Sequence, residues 1–236
     1  MSRFTGFPRE AIIFFEEIAL FNAKEWFDEN KARYQEQVQQ PAQAFVEVLG
    51  ERLTALAPGI QYSTSRNGSG SIMRIYRDVR FSKDKTPYKT NLGLSWWEGP
   101  GKKMEEPGYY FHLDGNGAWF ANGMYGFPDA SMAAYRAAVD DERRGAALVK
   151  ALDHAQQAGL TISGIGEYSR VPTGYAKDHP RTDLLKKKGL VTVSPGIPLD
   201  VITSPALVDA CYTYAKAMLP LHQWLVALHS GVHAGA

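Results

Sequence analysis

Cysteine is almost missing from this sequence. Cys211 stands alone, and one cysteine cannot form a disulfide within its own chain. It falls in a helical pattern, LVDACYTYAKAML, where it reads as a small buried apolar residue. Apolar runs near 20 residues, long enough to cross a membrane, are missing too. Residues 1–22 lack the basic-then-apolar order of a secretory leader. These absences predict a cytoplasmic protein with no membrane association. Charge of one sign is also lacking. The net charge is +1, so no bulk field draws the whole molecule to nucleic acid or acidic lipid.

Catalytic signatures are missing as well. There is no GxxxxGK[ST] phosphate loop, no GxSxG nucleophile elbow, no HExxH and no paired-cysteine ligand set. GIG at residues 164–166 lacks the third glycine of a dinucleotide fingerprint, and GSG at residues 68–70 precedes a strand pattern instead of following one. No metal and no cofactor is therefore expected. His229 and His233 are four apart, but in a Gly-rich tail, where stray histidines are the simpler reading. His154 and His222 lie in helical patterns with no acid or cysteine at ligand spacing. His112 shares a strand face with Tyr110 and Asp114 and reads as packed or hydrogen-bonded, with general base as the second reading.

What is present is an uneven distribution of charge. Residues 74–89, RIYRDVRFSKDKTPYK, hold six basic residues against Asp78 and Asp84, a local +4. Residues 170–188 hold Arg170, Lys177, Arg181, Lys186, Lys187 and Lys188 against Asp178 and Asp183, again +4. The rest of the chain is left at −7, so two basic segments sit in an acidic protein.

Along the chain, apolar residues recur at helical spacing in residues 8–57, with Pro8 suited to a first turn and Asn22 and Glu25 spaced as a capping box. The pattern then changes period. IMRIYRDV, LGLSWWEG, GYYFHLD and AWFANGMYG are short aromatic and β-branched runs within residues 71–125. DGNG between the last two is a hairpin signal, so an antiparallel meander of four strands is expected. Residues 129–229 return to helix, with short strand patterns, a short helix in RTDLLKKKG and a break or kink near Pro220. A flexible tail is expected at residues 231–236. Helices, then sheet, then helices predict one α+β domain with a central, mainly antiparallel sheet.

If residues 73–81 are extended, Met73, Ile75, Arg77, Val79 and Phe81 share one face, and Arg77 is the only charge in that row. A buried guanidinium needs a carboxylate or a bound anion beside it. Pro87 stiffens the loop that carries Lys83, Lys85, Tyr88 and Lys89. In the second segment, His179 and Pro180 precede a short helix whose N-terminus offers donors to an anion. The plainer reading there is a capped helix start with a basic solvent face at residues 186–188.

RDVRFSKDKTPYKTN, VPTGYAKDHPRTDLLKKK and NAKEWFDENKARY together resemble the family of bacterial and fungal proteins called domain of unknown function 2461, over residues 7–228. The matching positions include Asn22, Trp26, Phe27 and Tyr34, then Pro172, Gly174, Tyr175, Asp178, His179 and Pro180. The resemblance implies a single α+β domain and carries no catalytic assignment.

Two functional readings follow. In the first, the two basic segments meet at one site for a phosphate-bearing small molecule. Arg77, Arg80, Lys85 and Lys89 bind the anion, Tyr88, Tyr175 and His179 orient it, and Asp84 or His179 serves any acid–base step. In the second, the same surface binds nucleic acid or an acidic protein, with Tyr76, Tyr88, Trp96 and Trp97 available for stacking. Fixed Asp residues among the lysines rank that reading lower. A third possibility is that both segments are structural ion-pair networks.

Overall fold

The computed structural model describes residues 3–65 and 69–233. Residues 66–68, with Gly68 of the GSG sequence, lie outside them, as do residues 234–236 of the expected tail.

The fold is α+β, with helices α1 (Arg9–Leu20), α2 (Lys24–Arg33) and α3 (Gln40–Leu56) preceding most of the sheet. In α1 the buried residues Ala11, Phe14, Phe15 and Ile18 recur at the spacing that puts them on one stripe, and Pro8 stands at the N-cap. Between α2 and α3 the chain forms a six-residue π-helix, Tyr34–Gln39. Pro41 does not break the helical run as its position suggests; it sits in the first turn of α3. Proline lacks the N–H of a helical rung, and its ring crowds the carbonyl four residues earlier. Here that carbonyl belongs to Gln37, inside the widened turn.

The sheet has six antiparallel strands: β1 (Ile60–Gln61), β2 (Asn91–Glu98), β3 (Gly108–Asp114), β4 (Gly117–Met124), β5 (Thr161–Ser163) and β6 (Leu190–Val193). Their order is β1-β2-β3-β4-β6-β5. Strand β3 alternates cleanly: Tyr109, Phe111 and Leu113 are buried, while Tyr110, His112 and Asp114 are half-buried. The remaining helices are α4 (Asp129–Asp140), α5 (Glu142–Gln157), α6 (Thr182–Leu185), α7 (Leu199–Ile202) and α8 (Ala206–His233). Helix α8 is continuous through Pro220, without the expected break. Met218, Leu221 and Leu225, on both sides of the proline, are fully buried. It also takes in residues 231–233 of the expected tail, and His229 is buried near Ser131 and Glu106. Among the described residues, no helix is long and apolar enough to cross a membrane.

Three of the four expected central strands form, and the first does not. Residues 72–89 make only isolated bridges, Ile72 with Leu94 and Tyr76 with Tyr88. The reason is Pro87. Arg77 N–H donates to the Pro87 carbonyl at 2.8 Å, but proline has no N–H to return, so the ladder stops there. Phe81, expected on an inward face, is 94% exposed.

The chain divides into two compact units. One runs to Trp96 and includes Tyr110–Phe120 and Gly196–Thr213. Its core is aromatic: Phe45 touches Phe4, Phe7, Trp96 and Phe111 with ring centroids 4.9–6.0 Å apart. The other comprises Trp97–Tyr109, Ala121–Pro195 and the chain from Tyr214 onward. Tyr135, Leu148, Leu185, Leu190, Leu221 and Leu225 lie at the centre of its core.

Candidate functional site

The first basic segment lies in the first unit, as an irregular hairpin over residues 75–89. Lys89 N–H donates to the Ile75 carbonyl at 2.7 Å, one step from the Tyr76–Tyr88 bridge. The hairpin is fastened to the helices by Asn22. Its side chain donates to the Tyr88 carbonyl and accepts from the Tyr88 N–H, each at 3.0 Å. This overturns the expected capping box: Ala23 stands at the N-cap of α2, without a side-chain cap. The Tyr88 ring is buried and stacks on Phe27 at 4.3 Å.

Most of the hairpin's charges are satisfied within it. The Arg77 side chain is 27% exposed, and its Nη1 donates to Asp84 Oδ2 at 2.5 Å, to the Thr86 carbonyl at 3.2 Å and to the Thr86 hydroxyl. Asp84 Oδ1 also accepts from the Thr86 N–H at 2.9 Å. The Thr86 amide, then Arg77, hold the Asp84 carboxyl down at about 2. A carboxyl held that low stays ionised near neutral pH and is poorly matched to proton transfer. Arg80 grips Asp78 in a two-pronged pair at 2.9 and 2.6 Å. The same pair lowers Asp78 to about 2. Lys85 Nζ donates to the Val79 carbonyl at 2.9 Å.

Three cations differ from these, and one of them, Lys83, is simply exposed on the hairpin. Lys89 is half-buried, and neither it nor Arg74 forms an ion pair or side-chain hydrogen bond among the described residues. Burial, then the neighbouring Arg74 charge, lowers the Lys89 pKa. Asp78 feels Arg74, but it is already gripped by Arg80. Arg74 lines a cleft of about 170 Å³ between residues 72–76 and the helical wall of α2 and the π-helix. Phe27, Lys31, Tyr34, Gln35 and Gln39 line that wall. Burial pushes the Tyr34 hydroxyl up to about 12, so it remains a proton donor, and Gln39 hydrogen-bonds to it. Sequence reasoning passed over Arg74, Lys31 and the two glutamines as site residues. The helical period carries no sign of a π-helix, and Gln35 and Gln39 line this wall from that widened turn.

The second segment lies in the other unit and is occupied with local structure. The Tyr175 N–H bonds the Pro172 carbonyl at 3.4 Å across a turn, with Gly174 at φ +96°. That conformation explains the glycine of the motif. Tyr175 packs, half-buried, against the unit's core. His179 has both ring nitrogens engaged: Nδ1 accepts from the Arg181 N–H at 3.0 Å, and Nε2 faces Asp140 at 3.3 Å. The Arg181 guanidinium donates to the carbonyls of Val139 at 2.6 Å and Asp140 at 2.9 Å, closing the C-terminus of α4. At the start of the second segment's helix, α6 has only four residues, and its first amide, Thr182 N–H, bonds the His179 carbonyl at 3.0 Å. Lys186 pairs with Asp183, Lys187 with Glu167, and Lys188 lies over the Tyr168 ring.

His112, on β3, donates or accepts at both nitrogens: Nε2 lies 3.2 Å from Asp114, and Nδ1 lies 3.4 Å from Asn91 and from Tyr110. Its ring stacks on Trp119 at 4.7 Å. It is a satisfied histidine of the sheet face. Among the described residues, no group of three or more His, Cys, Asp or Glu side chains is placed to hold a metal ion. Cys211 is buried, which raises its thiol pKa.

These features define an α+β protein with a cationic cleft beside a π-helix. The chain belongs to the family described as conserved hypothetical protein, domain of unknown function 2461, whose match spans residues 10–224. No curated protein and no solved structure matches it.

Proposed function

We propose that this protein binds a small phosphate-bearing anion in the first unit, at the cleft lined by Arg74 with Lys89 beside it. One observation carries the reading. Arg77, Arg80 and Lys85 are each satisfied inside the hairpin, whereas Arg74 and Lys89, whose charges act on one another, have no carboxylate paired to either among the described residues. Unpaired like charges that act on one another, one of them half-buried, favour binding of an anion. Of the ligand-binding residues named from sequence, Lys89 keeps that role. Arg77, Arg80, Lys85 and Tyr88 shape the hairpin that presents it.

Tyr175, His179 and the basic residues after them are better read as structural, because their polar groups close a turn and a helix end. Neither Asp84 nor His179 is assigned an acid–base role. Nucleic acid or an acidic protein remains the second reading for the exposed hairpin, favoured by the uncovered Tyr76 and Phe81 rings. Its affinity would fall steeply with salt. A cytoplasmic setting is part of the proposal, supported by the free, buried thiol of Cys211.

The test is a melting screen of phosphorylated metabolites at constant ionic strength. Some are expected to raise the midpoint of the wild type and not that of Arg74→Ala. A panel of phosphates and carboxylates that shifts nothing overturns the proposal.

A further inference from the structure

We infer that the anion taken by this cleft is a phosphate monoester on a small apolar body, a single ring or a group of equal size; this rests on the anion site proposed above. The floor of the cleft is apolar. Phe27, Tyr34, Ile72 and Ile75 line it, and each is 5% exposed or less. The cations stand at its edge, where Lys31 and Arg74 are exposed. A bare phosphate set against Phe and Ile loses water without gaining donors. A purely apolar ligand leaves the cations unused. The cleft therefore complements a molecule with one apolar and one charged end.

Size and charge narrow the class. An apolar cavity of about 150 Å³ holds one benzene ring, and this cleft is about 170 Å³. Drug-sized ligands occupy roughly 300–1,000 Å³, so a dinucleotide does not fit within it. A phosphate monoester carries about −1.5 to −2 at neutral pH. That matches the two cations that line the cleft, Lys31 and Arg74, where a carboxylate neutralises only one of them. Tyr76 is 57% exposed, also lines the cleft and meets Phe27 edge-on at 6.1 Å. A ligand ring beside it extends an existing aromatic cluster, in the offset or edge geometry such rings prefer.

The experiment is calorimetric titration of the full chain with phenyl phosphate, inorganic phosphate, benzoate and phenol at one ionic strength. Phenyl phosphate is expected to bind about tenfold or more tightly than inorganic phosphate, because the ring removes apolar surface from water. Benzoate is expected to bind more weakly than phenyl phosphate, and phenol not measurably. Tyr76→Ala is expected to erase most of the advantage of phenyl phosphate while leaving inorganic phosphate unchanged. Arg74→Ala is expected to weaken both. Both side chains are exposed, so an unchanged melting midpoint confirms that the variants fold. Equal affinity for the two phosphates, or no response to Tyr76→Ala, overturns the apolar body and leaves the anion site standing. Benzoate binding as tightly as phenyl phosphate overturns the monoester. A phosphotyrosine peptide binding more tightly than phenyl phosphate overturns a free small molecule as the source of the group. Absence of binding by either phosphate overturns the anion site and this inference together.

Discussion

At Arg77 the charge is settled within the hairpin, on Asp84 and Thr86; at Lys89 it is not. The sign of each shift has a consequence. Asp84 is depressed to about 2 in the folded state from 3.8. It therefore adds stability above pH 3.8, and that contribution disappears as the pH falls through about 2. A carboxyl-detected NMR titration is expected to put Asp84 near 2 in the wild type. Arg77→Met should raise it part of the way toward 3.8, since the Thr86 amide remains. An unchanged midpoint would show that Arg77 contributes nothing to holding that carboxylate. Lys89 is depressed from 10.5 by burial and by Arg74. Its neutral form is the one the fold prefers, so near neutral pH the charged lysine opposes folding, and the opposition fades as pH rises through its folded pKa. Lys89→Met keeps the stem and removes the charge. Its ligand-free Tm is expected to equal or exceed that of the wild type. A fall of more than roughly 4 °C would mean that Lys89 has an internal role.

Among the elements, the two basic segments behave differently under substitution. Asn22→Ala leaves the Tyr88 N–H and carbonyl without their partner, at a cost of about 2 kcal/mol, or roughly 4–8 °C in Tm for a chain of this size. Asn22→Asp keeps the acceptor and should recover part of that loss. Arg181→Ala uncovers the carbonyls at the end of α4 and is expected to cost about 1–2 kcal/mol. It should leave the response to phosphate esters as it was. Loss of that response in Arg181→Ala would return the second segment to the binding site.

Much of the element layout was legible in sequence. The stripe of α1 and the alternation of β3 follow from period alone, and the DGNG turn joins β3 to β4 as its residues demand. The failures have local causes. The run beginning at Ile72 has strand composition, but Pro87 removes the amide its ladder needs. Asn22 has the spacing of a cap, yet its amide is used by a backbone 66 residues away, which no local pattern records. The cleft was hidden for a related reason, since the π-helix that lines it changes the register of the helical period.

For the whole molecule, the near-neutral net charge conceals two basic segments in an otherwise acidic chain. One of them lies beside a cleft and the other closes a helix end. The most direct test is the Tm of the wild type and of Arg74→Ala/Lys89→Met, with phosphate esters at about a hundredfold excess over Kd and ionic strength fixed with chloride. Ligand binding at that excess adds about 2.7 kcal/mol, so at least one ester is predicted to raise the wild-type Tm by roughly 5–11 °C and the double variant by less than a quarter as much. An equal rise in both proteins, or none in either, would contradict an anion site at Arg74 and Lys89.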